Sequence, residues 1–246
     1  MARTRILGVG FDDTDLEETS EKAMELIAER RAAFIVTPNP EIVMICGKNE
    51  RIRAAVNGAD IVLPDGIGIM LGARILGAPL KQRLPGIDFA ETLIGRVSSK
   101  GECKLFLLGA KPGVAELAAA RLEGRYEGLR TVGIFDGYFS DDSKIKEKIS
   151  ETEPDIILVC LGSPKQELWM SENTGKFSAG VMIGLGGSLD VYSGNVKRAP
   201  PVWRRLGLEW LYRLLREPRR IKRAVLLPVY IVRVCSARLR GKNDAG

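Results

Sequence analysis

The sequence predicts an α/β fold, a mostly parallel sheet with helices on both faces, followed by a basic helical C-terminal appendage. Two observations predict it. Short apolar runs alternate with helix signals along residues 1–195, the pattern of a parallel sheet whose strands are joined by helices. The charge then changes sign: residues 196–246 carry 14 Lys/Arg against 3 Asp/Glu, a net of +11, leaving residues 1–195 at −5 in a chain of +6 overall. The expected division is therefore an α/β catalytic body over residues 1–195 and an appendage over 196–246.

Seven runs read as strands: Ile6 to Val9, Ala33 to Thr37, Ile61 to Leu63, Lys104 to Leu108, Thr131 to Phe135, Ile156 to Cys160 and Ala179 to Ile183. Helix signals fill the intervals. Asp15 and Glu18 make a capping box ahead of a helix through Arg30, and Pro40, Pro112 and Pro164 stand where a first helical residue would. Asn39 fits a helix cap, Ser163 with Gln166 a second capping box, and Asp65 a cap for a helix beginning near Gly66. The arrangement is Rossmann-like, and in such sheets ligands bind outside the carboxyl ends of the strands. Six consecutive loops at that rim carry small, polar or glycine residues: Thr37 to Pro40, Asp65-Gly66, Gly109 to Gly113, Asp136 to Phe139, Gly162 to Glu167 and Gly184 to Asp190.

Composition narrows the chemistry. Hydrophobic residues make up 45% and charged residues 28%, the balance of a globular chain with a substantial core. Four cysteines stand singly with no Cys-x-x-Cys pair, so neither a disulfide framework nor a zinc site is indicated and a reducing cytoplasm is expected. The start, Met1-Ala2-Arg3-Thr4, lacks a signal-peptide core, and no run reaches the roughly 20 apolar residues that span a bilayer. Histidine is absent, so a carboxylate is the leading candidate for any proton transfer, and Asp65 follows an apolar run directly. Asp13-Thr14-Asp15 has the Asp-x-Asp form that presents a metal to a sugar nucleotide, but like Asp141-Asp142 it precedes a helix and reads better as a cap; no metal and no cofactor are expected. The turns Gly109 to Gly113 and Gly184 to Gly187 suit phosphate cradling by backbone N–H groups, although neither is a full Gly-x-Gly-x-x-Gly and tight turns need glycine anyway.

In the appendage, Trp203, Leu206, Trp210, Leu211 and Leu214 fall on one helical face, with Arg205, Glu209, Arg213 and Arg216 on another. Glu217-Pro218 interrupts, and Arg219, Arg220, Lys222 and Arg223 lead into the nine-residue run Ala224 to Val232, which contains Pro228. That run is too short to cross a bilayer but suited to its interface, beside cations that attract anionic lipid. The alternative is a helical pair packed on the body or on a second copy of the chain.

Taken in order, Thr37-Pro38-Asn39, Leu63-Pro64-Asp65-Gly66, Arg83 to Asp88, Gly137-Tyr138-Phe139, Gly162 to Glu167, Lys197 to Pro200, Glu209-Trp210 and Glu217 to Arg220 resemble the WecG/TagA/CpsF glycosyltransferase family, from about Ile6 to Arg223. The resemblance implies an inverting, metal-independent transfer, first of all of N-acetylmannosamine, from a UDP-sugar to undecaprenyl-diphosphate-linked N-acetylglucosamine for wall teichoic acid. UDP-N-acetylmannosaminuronic acid and UDP-glucose are the other donors it allows. It implies Asp65 as general base, Thr37, Asn39 and Gln166 as sugar-binding or acceptor-orienting groups, and Arg83 as a phosphate or substrate contact. Tyr138 against uracil, Asp190 on a nucleoside donor and the Gly109 turn near the diphosphate complete the donor site, with Tyr138 weighed evenly against a core aromatic. The appendage is then expected to dock peripherally at the inner face of the cell membrane, closing over the site and presenting Arg213, Arg220 and Arg223 to a diphosphate. A dinucleotide-dependent oxidoreductase would share the alternation but lacks its glycine fingerprint here. A nucleic-acid-binding module would share the basic tail, and the acidic body argues against it.

Overall fold

The structure, a computed structural model, describes residues 2–216 and 225–241. Among the described residues there are eight strands: β1 (Arg3–Ile6), β2 (Val9–Asp12), β3 (Arg31–Val36), β4 (Ile61–Val62), β5 (Cys103–Gly109), β6 (Leu129–Phe135), β7 (Ile156–Cys160) and β8 (Ala179–Gly184). Six of them form one all-parallel, Rossmann-like sheet in the order β4-β3-β8-β7-β5-β6. The helices are α1 (Leu16–Glu29), α2 (Pro40–Cys46), α3 (Glu50–Asn57), α4 (Ile67–Leu76), α5 (Gly86–Ser98), α6 (Val114–Glu123), α7 (Ser143–Thr152), α8 (Lys165–Asn173) and α9 (Ser188–Tyr192) in the body. In the appendage they are α10 (Pro201–Arg205), α11 (Glu209–Arg216) and α12 (Leu226–Leu239).

Strand side chains alternate between two buried cores, because successive residues of a strand point to opposite faces. Leu105, Leu107, Ile156, Leu158, Val181 and Ile183 pack with α1, α5, α6 and α9 on one face. Phe106, Leu108, Ile157, Val159 and Met182 pack with α2, α3, α7 and α8 on the other. Burial on both faces explains why these strands read as continuous apolar runs.

The first strand departs from expectation. Ile6 to Val9 is not one strand of the main sheet but the apex of an antiparallel hairpin in which Ile6 pairs with Val9. Leu7 and Gly8 form its two-residue turn with φ of 49° and 86°, the positive angles such a turn needs. Without an Asn-Gly signature an apolar hairpin tip looks like a strand. The hairpin closes the sheet edge beside the two-residue β4: the buried Asp12 carboxylate accepts the Val62 N–H at 2.7 Å and pairs with Arg3 Nε at 3.1 Å.

At the helix starts, the Asp15–Glu18 capping box is present, and Pro40 opens α2 behind Asn39. Pro112 instead lies two residues ahead of α6, and Pro164 is the residue before α8, which has no side-chain cap bond; Ser163 and Gln166 do not form a capping box. Gly66, with φ of 90°, and not Asp65 stands at the N-cap of α4, and glycine has no side chain to cap with.

The appendage also differs in detail. The stripe from Trp203 to Leu214 is split between α10 and α11, since the chain turns at Gly207 (φ 71°), where a Cβ would lie 2.9 Å from Ile67. Of the run Ala224 to Val232, Ala224 lies outside the described residues and Leu226 to Val232 belong to α12, a 14-residue helix with Pro228 in its first turn, where a missing N–H costs little. Tyr230 and Val234 are fully buried against the body. The seat is glycine: a Cβ on Gly72 would stand 2.1 Å from the Tyr230 hydroxyl, and one on Gly68 would stand 2.7 Å from Leu227. Arg238 donates to the Leu76 carbonyl at the end of α4 at 3.0 Å, a favourable place for a cation. Val225, Val229, Val232 and Leu239 form a second apolar stripe, facing outward.

The Gly72 seat leads to paired expectations. Gly72→Ala overpacks against Tyr230 and should cost about 1–3 kcal/mol, read as a lower denaturant midpoint and faster proteolysis within residues 225–241. The Tyr230 hydroxyl is buried without a hydrogen-bond partner, so Tyr230→Phe should stabilise the fold by about 1 kcal/mol, read as a higher denaturant midpoint; a lower midpoint would contradict that account.

Candidate active site

A cleft of about 300 Å³, at the lower end for small-molecule sites, opens at the carboxyl ends of β3 and β4. Thr37, Asn39, Asp65 and Arg83 all line it, together with Gly66, Gly68, Gly86, Leu185 and Ser188. Its roof comes from the appendage: Glu209, Trp210 and Leu214 of α11 and Leu226 and Leu227 of α12. Four expected residues separated by up to 46 positions therefore meet in one place.

Local structure explains how each is held. Thr37 follows β3 and its hydroxyl donates to the Gly184 carbonyl at 2.9 Å, tying the ends of two neighbouring strands and leaving its oxygen to accept from a ligand. Asn39 does cap α2, its Oδ1 accepting the Ile42 N–H at 3.2 Å, yet the cap uses only the oxygen and leaves the amide nitrogen for a ligand. Arg83 sits in the loop between α4 and α5 and donates to the Arg204 carbonyl at 2.8 Å, linking cleft to appendage. The same loop is pinned from the other side: Asp13 accepts the Lys81 N–H at 2.8 Å, and Lys81 Nζ pairs with Glu18 at 2.9 Å, which holds the Glu18 carboxyl below its ordinary range. Asp13 and Asp15 are thus engaged in a loop clamp and a helix cap. Among the described residues no three His, Cys, Asp or Glu side chains group as a metal site requires.

The remaining expected residues lie further along the rim. The connections β5→β6 and β7→β8 leave in opposite directions, which makes the crevice between β5 and β7 a topological switch point, where such sheets bind nucleotides. Gly109 is there, with φ of 130° and its Cα so close to the Cys160 backbone that a Cβ would meet the carbonyl oxygen at 2.3 Å. Asp190 is close by: α9 begins over the end of β7, and the Cys160 thiol is pushed up to about 12 by burial, with the Asp190 charge adding to the rise. Tyr138 is 73% exposed, which rules out the core reading and leaves its ring open to stacking. Its loop is held by Gly137 N–H on the Ala110 carbonyl at 3.0 Å and by Lys165 Nζ on the Gly137 carbonyl at 3.1 Å. The cleft at β3 and the turn at β5 are three strand positions apart, about 14 Å at the usual spacing.

Gln166 is placed differently from expectation. It is 3% exposed and lies outside the cleft lining, beneath the β8–α9 turn, its Oε1 accepting the Gly186 N–H at 2.9 Å and its Nε2 donating to Glu167 at 3.0 Å. Arg213 lies in α11 next to the roof residue Leu214, while Arg220 and Arg223 fall outside the described residues.

Several participants carried no assigned role in the sequence. Arg198, largely buried, pairs with Asp88 of α5 and approaches Glu209 at 3.9 Å, so the start of the appendage is latched over the cleft. Glu209 and Trp210 stand in the roof itself. Glu167 is 2% exposed, beyond what a charged residue in a loop-to-helix motif suggests. All lay within quoted motifs, and burial was the missing signal.

The sequence model described as the Glycosyl transferase WecG/TagA/CpsF family matches residues 4–244. An N-acetylglucosaminyldiphosphoundecaprenol N-acetyl-beta-D-mannosaminyltransferase of Bacillus spizizenii is 37% identical over 225 residues, 91% of this chain and 87% of the relative. A protein of the same name from Staphylococcus aureus strain MW2 is 34% identical over 245 residues, 98% of this chain and 96% of the relative.

The buried carboxyl gives a pH prediction. Burial holds Glu167 above its ordinary value, with the hydrogen bond from Ser163 opposing the rise. The unfolded chain therefore loses this proton first, and the stabilisation, complete below about pH 4, is lost as pH rises to the folded-state value. Glu167→Gln should flatten that decline in urea midpoints measured across the range; an unchanged slope would count against it.

Proposed function

Since the chain belongs to the WecG/TagA/CpsF glycosyltransferase family, we propose that it moves N-acetylmannosamine from UDP-N-acetylmannosamine to the 4-hydroxyl of N-acetylglucosamine in the undecaprenyl-diphosphate-linked acceptor, with inversion. The observation that carries this reading is the convergence of Asp65, Thr37, Asn39 and Arg83 in one cleft roofed by the basic appendage. Family membership sets the oxidoreductase alternative aside.

In the proposed step Asp65 takes the proton from the acceptor hydroxyl as its oxygen bonds to the sugar C1 from the face opposite UDP. The C1–O bond to the diphosphate breaks and its electron pair leaves with UDP. Positioning and a correctly placed base are the main contributions such a site can make. Thr37 and Asn39 hydrogen-bond sugar hydroxyls, with Gln166 fixing the adjoining turn from below. UDP lies along the rim toward β5, its uracil on Tyr138, its nucleoside on Asp190 and its diphosphate at the Gly109 to Gly113 turn. No metal takes part in this scheme, so the leaving charge falls to N–H groups and cations, Arg83 with Arg213, Arg220 and Arg223.

A lipid-linked acceptor supports a reaction at the inner face of the cell membrane. No helix among the described residues is long and apolar enough to cross a bilayer. The outward stripe Val225, Val229, Val232 and Leu239, with Arg233 and Arg240 on the same helix or at its end, suits peripheral binding to an anionic surface. The same stripe can pair with a second copy in solution. Deleting the appendage would also strip Tyr230 and Val234 from the body, so point changes on the outer stripe are the cleaner probe.

Product analysis tests the whole reading. Purified protein given a synthetic lipid-diphosphate acceptor and a panel of UDP-N-acetylmannosamine, UDP-N-acetylmannosaminuronic acid and UDP-glucose should transfer N-acetylmannosamine with inverted configuration. Use of another donor assigns a different surface polysaccharide, and no transfer from any sinks the proposal. Asp65→Asn should lower kcat by about 10²–10⁴-fold with UDP binding retained, and substantial remaining activity removes Asp65 as the base. The double variant Val229→Glu, Val232→Glu should lose co-sedimentation with anionic vesicles at an unchanged melting temperature; retained binding argues against this docking face.

A further inference from the structure

Glu167 stands in the first turn of α8, 2% exposed, and its Oε2 has no hydrogen-bond partner. A buried carboxyl with a bare oxygen is costlier than an apolar side chain of similar volume, so packing alone does not account for it. Local rules are broken mainly where function needs it. Its other oxygen receives two hydrogens, from Ser163 Oγ at 2.6 Å and from Gln166 Nε2 at 3.0 Å. The second bond fixes which end of the Gln166 amide is which, because a carboxyl oxygen facing Gln166 selects the nitrogen and turns the amide oxygen toward the Gly186 N–H. Gly186 lies in the turn whose Leu185 and Ser188 line the cleft, and Gly184, just before it, holds the Thr37 hydroxyl.

We infer that Glu167 is a positioning residue for the transfer site, acting through the Gln166 amide on the β8–α9 turn and so on Thr37. It touches no substrate in this assignment. The kinetic arm rests on the proposed transferase activity; the structural arm does not.

The experiment compares Glu167→Leu, Glu167→Gln and Gln166→Leu in the full chain. Amide exchange over residues 184–188 should quicken about tenfold or more in Glu167→Leu and Gln166→Leu and stay near wild type in Glu167→Gln, which keeps an acceptor oxygen, while β7 and residues 179–183 of β8 keep their protection. kcat should fall about 10- to 100-fold in Glu167→Leu, as expected for a misplaced site, and Glu167→Gln should restore it. In the Gln166→Leu background, Glu167→Leu should cost little more. Unchanged exchange at 184–188 overturns the assignment, as does a Glu167→Leu loss that multiplies in full with that of Gln166→Leu. If Glu167→Leu does not fold, Ser163→Ala carries the structural arm: exchange at 184–188 should rise in it, and no rise overturns the proposal. Normal exchange changes in a protein whose wild type transfers no sugar would fault the transferase reading instead.

Discussion

The close seating of α12 on the glycine face of α4 is the contact on which the functional half of the molecule depends. Gly68 and Gly72 leave no Cβ between the helices, so Leu227 and Tyr230 come within van der Waals reach of the α4 backbone. α4 begins immediately after Asp65-Gly66, and α12 supplies Leu226 and Leu227 to the cleft roof. A small-residue face on one helix thus brings a carboxylate at residue 65 beneath a segment some 160 positions later. The burial of a hydroxyl without a partner at Tyr230 marks how strongly packing favours this arrangement.

Ion pairs reinforce the same closure from the other side. Arg198 and Arg204 gather on Asp88, and Arg83 donates to the Arg204 carbonyl, so the appendage is fastened at α5 as well as at α4. Arg83 therefore both lines the cleft and holds the segment above it. Loss of the roof and loss of the arginine would be felt at the same place, which is why the basic appendage is better regarded as part of the site than as a separate anchor.

Polar networks under the rim join the two ends of the site. The β5–β7 crevice, proposed for the nucleotide, and the cleft at β3 and β4, proposed for the sugars, have β8 between them. Ser163, Glu167 and Gln166 reach from the β7–α8 loop to Gly186, and Thr37 reaches from β3 to Gly184. Both ends are thereby referred to one turn. A buried network of this kind holds geometry more firmly than exposed side chains on separate loops, at the cost of desolvating a carboxyl.

Much of this was legible in the chain itself. Doubly buried strands declare themselves as apolar runs, and the Asp15–Glu18 capping box depends only on residues three apart, so the α/β alternation, the strand ends and the rim residues Thr37, Asn39 and Asp65 follow from local pattern, whereas Arg83 was singled out only by the family resemblance. Tertiary structure decided the rest. Ile6 to Val9 became a hairpin tip because its partner strand was its own continuation, and the amphipathic stripe across Gly207 broke because that residue meets Ile67. Gln166 and Glu167, polar enough to suggest solvent or ligand, were drawn under a turn by contacts with Gly186 and Ser163. The sequence determined which elements form and where their ends lie, because backbone propensity and apolar periodicity act over a few residues. Which polar side chains face the cleft and which are buried beneath it rests on contacts between segments far apart in the chain, and only packing them together settles that.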